Sequence, residues 1–172
     1  MGSYVYAQGH PPKDSTFLLS HCLLNQKVRA ERAYTSGVTQ RLLGILSHYP
    51  VWLEQLPCPE FSFVGERGRK PKDEWENLRG FKDHCSDLAN EIEERIRELA
   101  ERNAPFLLLS IARSPSCSSG QVYRGKRLVG GKGILVAELE KRVKLNFLEF
   151  DFRRVSWSLQ RIEKCLKVLG EL

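Results

Sequence analysis

Short apolar runs alternate along the chain with longer segments in which apolar residues recur every three or four positions. The runs predict β-strands and the longer segments predict amphipathic helices. The predicted strands are Thr16–His21, Val51–Leu56, Phe106–Ile111 and Asn146–Phe152. The predicted helices are one with the apolar face Val38, Leu42, Ile45 and Leu46, a long one that ends near Arg102, Ile134–Val143, and Ser156–Leu169. This alternation predicts an α/β fold, a single-domain Rossmann-like three-layer sandwich with a mostly parallel sheet.

The boundaries of these elements follow from polar residues, prolines and glycines. Residues 1–14 are expected to be an irregular N-terminal lead-in, and 15–172 a single α/β domain. Ser36 or Thr35 is the expected cap of the first helix. After the second strand, a long loop is expected to reach about Asp73, and Val122–Val129, with Gly125 near its middle, is expected to form a hairpin or an extended flap. Both Val51–Leu56 and Phe106–Ile111 are predicted to be buried inner strands.

Three of the five cysteines follow predicted strands: the segments Thr16–Cys22, Val51–Cys58 and Pro105–Cys117 each end in one. The carboxyl ends of parallel strands meet at one edge of a sheet, where ligands bind. Cys22, Cys58 and Cys117 are therefore expected to converge, and a soft metal centre, with iron–sulfur first, is one interpretation. The other is three small residues in tight turns without any chemistry.

The remaining two cysteines are expected to be structural. Cys85 lies on the apolar stripe of the long helix and Cys165 flanks the stripe of the last helix, and free cysteine is commonly buried. His21 is expected to point away from Cys22 because neighbouring strand residues face opposite sides.

Composition and charge limit the cellular location and the kinds of partner that are expected. The 172 residues are 41% hydrophobic and 28% charged, with no apolar stretch long enough to cross a bilayer. No signal peptide is recognised, so a cytoplasmic protein that does not bind membranes is expected, with cysteines used for metal, thiol or redox chemistry. The net charge of +6 permits an anionic partner such as a nucleotide or RNA. The densest basic group, Arg67, Arg69, Lys70 and Lys72, lies in a loop expected to be solvated.

Three motifs, HCLLNQKVR, LPCPE and RSPSCSSG, together resemble in order and spacing the signatures of the thiouracil desulfidase family. The stretch Gly80–Ala89 is similar to a divergent, largely archaeal branch related to those enzymes. The resemblance implies a non-redox, hydrolytic removal of sulfur from a thiolated base. It also implies a 4Fe–4S cluster held by Cys22, Cys58 and Cys117, with the fourth iron open.

Hydrolysis also needs a group that activates water, and residues near the three cysteines are candidates for this and other roles, in part on the resemblance. Glu60, two residues after Cys58, is the expected acid–base catalyst, and Ser114 is a second catalytic candidate. Alternatively, Glu60 pairs with Arg67 or caps a helix, and Ser114 only caps its own turn. Arg29, Arg113 and Lys132 are candidates for holding an anionic substrate group. The chain departs from the family pattern at Asn25 and Ser118, where the desulfidases usually have glycine.

The expected substrate is a small thiolated nucleobase or nucleotide such as thiouracil or a thiouridine nucleotide, with thiolated tRNA as a further possibility. Two other functions stay open. One is an iron–sulfur protein that carries or transfers sulfur in a thiolation pathway. The other is a non-catalytic Rossmann-like module that binds a metal or a nucleotide.

Overall fold

The computed structural model describes residues 15–171, with side chains described up to residue 167. The predicted lead-in, residues 1–14, lies outside the described residues, as does the side chain of Leu169 in the stripe of the last helix. The strands are β1 (Thr16–Leu19), β2 (Trp52–Gln55), β3 (Phe106–Ile111), β4 (Gln121–Arg124), β5 (Arg127–Gly130) and β6 (Phe147–Phe150). The helices are α1 (Val38–Leu46), α2 (Pro59–Val64), α3 (Lys72–Asn77), α4 (Phe81–Glu101), α5 (Ile134–Glu140) and α6 (Val155–Glu171). Short 3₁₀ helices span His21–Leu23, Gln26–Val28 and Ala30–Arg32.

Four strands form one parallel sheet in the order β2-β1-β3-β6. Thr16 of β1 pairs with Trp52 on one side and with Phe106 on the other. The chain therefore leaves β1 toward β2 and then crosses back to β3 on the opposite side. This reversal between β1 and β3 is the topological switch point at which open α/β sheets bind ligands. The predicted α/β fold with a mostly parallel sheet is confirmed.

Two apolar cores cover the two faces of the sheet. Phe17 and Leu19 of β1 pack with α1 and α6, whereas Leu18 packs with α4 and α5. Successive strand residues point to opposite faces, so a strand buried on both sides is apolar at every position. This arrangement explains why β3 is apolar at every position except Ser110, and β3 lies inside the sheet as predicted.

The expectation that Val51–Leu56 is a buried inner strand is wrong. Among residues 15–171, β2 is an edge strand that pairs only with β1, and Trp52 and Leu53 are 66% and 40% exposed. The apolar residues of this segment resemble those of an inner strand. Its polar residue Glu54, however, lies at the surface, where Arg95 of α4 donates a hydrogen bond to it at 2.7 Å. Composition alone does not distinguish these two positions in a sheet.

The predicted cap of the first helix is also wrong. α1 begins after Gly37, whose φ of +70° is in the left-handed region, and no side chain caps it. Thr35 lies two residues before this cap position, and its Oγ1 accepts a hydrogen bond from Arg29 Nη1 at 3.1 Å instead.

The expected long loop up to Asp73 contains one helix, α2, and α3 begins where this loop was expected to end. Pro59 ends strand pairing, as expected, but it also occupies the first helical position of α2, where its missing N–H costs no hydrogen bond. Gly80, with φ of +81°, separates α3 from α4. The predicted hairpin is confirmed as the antiparallel pair β4–β5.

No helix within residues 15–171 combines the length and the apolar character needed to cross a membrane.

Candidate functional site

The turns that follow β1, β2 and β3 surround one cavity of about 490 Å³ at the carboxyl edge of the sheet. Cys22, Cys58 and Cys117 all line it, and Cys85 and Cys165 do not. All five cysteines are free thiols. β1 and β3 are adjacent at the switch point, so Cys22 and Cys117 come from the two strands between which a ligand site is expected.

Cys22 lies in the 3₁₀ helix His21–Leu23, because the chain leaves the sheet earlier than predicted. Ser20 lies where the chain leaves the sheet, and its Oγ donates a hydrogen bond to the carbonyl oxygen of Leu109 in β3 at 2.8 Å. His21 shares the 3₁₀ helix, so the strand alternation expected for it does not apply. Its Nδ1 lies 3.2 Å from the carbonyl oxygen of Leu56, and its side chain also lines the cavity.

Cys58 is the residue immediately before α2. Its thiol is bonded by the backbone N–H groups of Glu60 and Phe61, which favour the thiolate. Burial and the nearby Glu60 carboxylate outweigh these bonds, so the pKa of Cys58 is raised.

Cys117 is held in a tight turn. Ser114 Oγ accepts hydrogen bonds from the backbone N–H groups of Ser116, at 3.3 Å, and Cys117, at 3.0 Å. The Ile111 N–H donates back to the Cys117 carbonyl at 3.2 Å, which ties the turn to the end of β3. Ser114 therefore does cap its own turn, and it also lines the cavity.

Gly133 allows the start of α5 to pack directly on this turn. A Cβ at Gly133 would lie 2.6 Å from the Cys117 nitrogen and still closer to the Ser116 carbonyl. The Gly133 N–H donates to Ser118 at 2.8 Å, and the Ile134 N–H donates to Pro115 at 2.9 Å. The glycine is therefore required by a close approach of two backbone segments. Ser116 itself is fully buried, and its hydroxyl has no hydrogen-bond partner within the described residues.

The three cavity thiols influence one another electrostatically. Burial, with Cys58 as the next cause, raises the pKa of Cys22 to about 12. Burial raises the pKa of Cys117 well above its ordinary value, and Cys58, Glu60, Cys22 and Cys85 raise it further. All three are therefore protonated thiols in the ligand-free protein at neutral pH, and a metal that bound them would displace protons.

Cys85 lies in α4 and does not line the cavity. It is fully buried, as predicted, and burial raises its pKa to about 12, with further contributions from Glu60 and Cys58. Cys165 is partly buried against the core cluster that contains α1 and α6.

Glu60 forms a buried ion pair with Arg67. Arg67 Nε and Nη2 both donate to Glu60 Oε2, at 2.9 and 2.6 Å, and the two side chains are 6% and 9% exposed. Arg67 Nη1 donates to the Val28 carbonyl at 2.7 Å, and Nη2 lies 3.8 Å from Cys58 Sγ. Both Arg67 donors therefore bond the same carboxylate oxygen, Oε2, and Glu60 lines the cavity.

Arg67, Arg69, Lys70 and Lys72 all line the cavity. Arg69 and Lys70 are exposed, as expected for a solvated loop, but the expectation is wrong for Arg67, whose side chain is 6% exposed. The spacing of Glu60 and Arg67 permitted a pair, and nothing in the local sequence indicated that the pair would be buried.

The three predicted anion-binding residues differ in position. Arg29 lines the cavity, stacks with its Cζ 3.8 Å from the centre of the Phe152 ring, and donates from Nη1 to Gln26 Oε1 at 3.1 Å. Arg113 also lines the cavity but is paired with Asp151. Lys132 is paired with Glu140 and does not line the cavity.

The two departures from the desulfidase pattern have local structural roles. The Asn25 side chain accepts from the Lys27 N–H at 3.2 Å and begins a 3₁₀ helix. Ser118 is fully buried, and its Oγ lies 2.7 Å from the Gln121 carbonyl and 2.9 Å from Glu149 Oε1.

The side chains of residues 15–167 contain no group of three or more His, Cys, Asp or Glu arranged to hold one metal ion. In an iron–sulfur cluster each thiolate binds a different iron, so its ligands need not meet at a single point. Cys22, Cys58 and Cys117 are therefore not placed to hold a single metal ion, but a cluster with several irons does not require them to be.

The fold and the cavity define an α/β protein with a parallel sheet and a thiol-lined cavity at its switch point. The chain belongs to the same family as the uncharacterized protein MJ0003 of Methanocaldococcus jannaschii. It is 30% identical to that protein over 136 residues, 76% of this chain and 80% of the relative. No family model matches the sequence.

The fold is similar to the solved structure of a 4Fe–4S-dependent thiouracil desulfidase, TudS. The TM-score is 0.51 at 19% sequence identity, and the alignment covers 87% of this chain and 99% of that one. This likeness shows the fold.

Proposed function

We propose that this chain is an iron–sulfur-dependent desulfidase that removes sulfur from a thiolated pyrimidine base without net oxidation or reduction. The observation that carries the proposal is the meeting of Cys22, Cys58, Cys117 and Glu60 in one cavity, from turns after three different strands. The likeness to the TudS fold supports it. The five free cysteines agree with a reducing compartment, so a cytoplasmic location is part of the proposal.

The residues of the cavity suit a 4Fe–4S cluster. Thiolates are the usual ligands of such clusters, and Cys22, Cys58 and Cys117 would hold this one. Burial disfavours their thiolate forms in the ligand-free protein, and a cationic iron centre supplies the missing compensation. When bound through three protein ligands, the cluster supplies an open iron that acts as a Lewis acid and a sulfur acceptor.

Glu60 is the proposed acid–base residue. Arg67 donates two hydrogen bonds to Oε2, and Oε1 is the carboxylate oxygen that we assign to the reaction in the cavity. Oε1 can take a proton from the attacking water and later return it to the leaving sulfur. The balanced reaction exchanges C=S and H₂O for C=O and H₂S, so no electron donor is required.

Ser114 is the proposed positioning residue for the substrate. Its oxygen already accepts two backbone N–H groups, so its own O–H hydrogen is available as a donor. In the cavity this hydrogen can bond a polar atom of the bound base. Phe152 and Tyr123 add aromatic surface against which a planar base can pack.

The test is release of sulfide and uracil from 4-thiouracil or 2-thiouracil by protein reconstituted with iron and sulfide under anaerobic conditions, with no reductant. We expect both products in equal amounts. Glu60→Gln keeps the cluster and loses activity, by about 10²–10⁴-fold for loss of an acid–base group.

The matched control is Glu54→Gln. Glu54 also pairs with an arginine, Arg95 at 2.7 Å, but at the surface and away from the cavity. It should keep full activity. Near wild-type sulfide release by Glu60→Gln with an intact cluster would make Glu60 structural. Sulfur delivered to an acceptor but never released as sulfide would favour the sulfur-transfer function instead.

A further inference from the structure

A set of arginines stacked on aromatic rings extends from the cavity along the start of α6. Phe152 and Arg153 line the cavity, and Arg154 and Trp157 follow within the next five residues. Arg29 stacks on Phe152 at 3.8 Å, and Arg154 and Arg161 stack on Trp157 at 4.3 and 4.6 Å. We call these six residues the arginine–aromatic surface: Arg29, Phe152, Arg153, Arg154, Trp157 and Arg161.

The arginines of this surface make no close ion pair in the part of the chain that the structure describes, although Arg153 lies near enough to Asp151 to help lower the pKa of that carboxyl. Within the described residues, none of its four arginines forms an ion pair with a carboxylate, and Arg153, Arg154 and Arg161 are exposed. On the opposite face, Arg95 and Arg97 of α4 and Arg142, which follows α5, pair with glutamates. The arginine–aromatic surface therefore places positive charge without a close ion pair beside the cavity.

Stacking also prepares these arginines for one kind of ligand. A guanidinium that lies over an aromatic ring keeps its N–H donors at the edges of its plane, where they match phosphate oxygens. The ring restricts the side chain, so less conformational entropy is lost on binding. A surface with these properties suits phosphate groups better than an apolar partner.

The extent of the surface favours a polymer. The guanidinium groups of Arg154 and Arg161 lie 4.3 and 4.6 Å from the centre of the same Trp157 ring. Arg29 and Arg153 add two further guanidinium groups at the cavity itself. One phosphate on a bound mononucleotide does not engage all four groups, whereas successive phosphates of a nucleic acid can.

We propose that the arginine–aromatic surface binds the phosphate backbone of RNA and directs a nucleotide of that RNA into the cavity. Binding of the backbone follows from the surface alone. The conclusion that the nucleotide carries a thiolated base rests on the proposed function.

The test measures binding of an unmodified tRNA transcript by fluorescence anisotropy at several salt concentrations. We expect Arg154→Ala/Arg161→Ala to weaken binding about tenfold or more. The slope of log K against log salt should fall by about 1.5, because two phosphate contacts are lost. Arg97→Ala/Arg102→Ala removes the same charge from exposed positions of α4 and its C-terminal end, and it should bind like wild type.

Folding of each variant is checked by circular dichroism, and Arg154→Lys/Arg161→Lys, which keeps the charge, should retain the salt slope. Equal affinities for the two alanine double variants would overturn the proposal. So would absence of tRNA binding by wild type, including a case in which phosphatidylserine vesicles or an acidic protein bind the surface instead.

The same variants separate this proposal from the proposed function. Sulfide release from free 4-thiouracil should be unchanged in Arg154→Ala/Arg161→Ala, since neither residue lines the cavity. If tRNA binding maps to this surface while no thiolated base yields sulfide, the surface stands and the proposed function fails. If sulfide is released but tRNA does not bind, the proposed function stands and the RNA-binding surface fails.

Discussion

Arg67 Nη2 lies 2.6 Å from Glu60 Oε2 and 3.8 Å from Cys58 Sγ, so one buried guanidinium joins a proposed catalytic carboxylate to a proposed cluster ligand. Removing one partner of such a pair leaves a buried charge without compensation. We expect Arg67→Met to lower the free energy of unfolding by about 3 kcal/mol, measured by urea denaturation of the cluster-free protein.

The contrast with a surface pair makes this prediction specific. Arg95→Met, which removes the exposed partner of Glu54, should cost about 1 kcal/mol or less. The double variant Arg67→Met/Glu60→Gln should lose less stability than the sum of its single changes, because no unpaired charge remains. Additive losses would show that the two side chains do not interact.

A second prediction concerns the cysteines. Cys117→Ser should lose the cluster and all sulfide release, since an alcohol is a poor replacement for a thiolate ligand. Cys165→Ser, in α6 and away from the cavity, should keep both. Absorbance near 400 nm and iron content of the reconstituted proteins check this. A full iron complement in Cys117→Ser would remove that residue from the proposed site.

The cysteine turns show how much of this architecture can be predicted from sequence. β3 is apolar at nearly every position and lies inside the sheet, and Cys117 follows it, so both the strand and the approximate place of its thiol could be predicted. Periodicity also identified α4 with its buried stripe. These features are local, and short-range pattern is sufficient for them.

The failures involve partners that are distant in sequence. Val51–Leu56 has the composition of an inner strand, but its place at the edge depends on which strands pair with β1. The burial of Arg67 depends on Val28 and Glu60, which come from two other segments. The sequence predicts that Pro59 ends the strand, but it does not indicate that Pro59 is also the first residue of α2.

A third prediction tests the contact between α5 and the Cys117 turn. Gly133→Ala places a methyl group 2.6 Å from the Cys117 nitrogen, so one of the two backbone segments must move. We expect a loss of about 1–3 kcal/mol in unfolding free energy and reduced iron binding. Gly44→Ala, in α1 with nothing within 4 Å, should stabilise slightly instead. Unchanged stability and iron content in Gly133→Ala would contradict the close packing.

A fourth prediction concerns acid stability. Burial alone would raise the pKa of Asp151, but hydrogen bonds from the Arg113 side chain and the Arg153 N–H outweigh it, and the pKa is lowered. A carboxyl with a lowered pKa in the folded state stabilises the protein above its unfolded pKa of about 3.9. This stability is lost as the pH falls through the lower, folded value.

Asp151→Asn therefore should be less stable than wild type at pH 7, and the difference should shrink as the pH falls below about 4. Urea unfolding curves between pH 7 and pH 3 measure it. A difference that stays constant over this range would mean that the charge of Asp151 does not contribute.

The central claim is that Cys22, Cys58 and Cys117 hold one iron–sulfur cluster. Its most direct test is the count of iron and acid-labile sulfide per chain in wild-type protein purified and reconstituted without oxygen. The account predicts about four of each per chain, and far fewer in a Cys22→Ser/Cys58→Ser/Cys117→Ser variant. Wild-type protein that holds no iron, or that holds as much as this variant does, would contradict it.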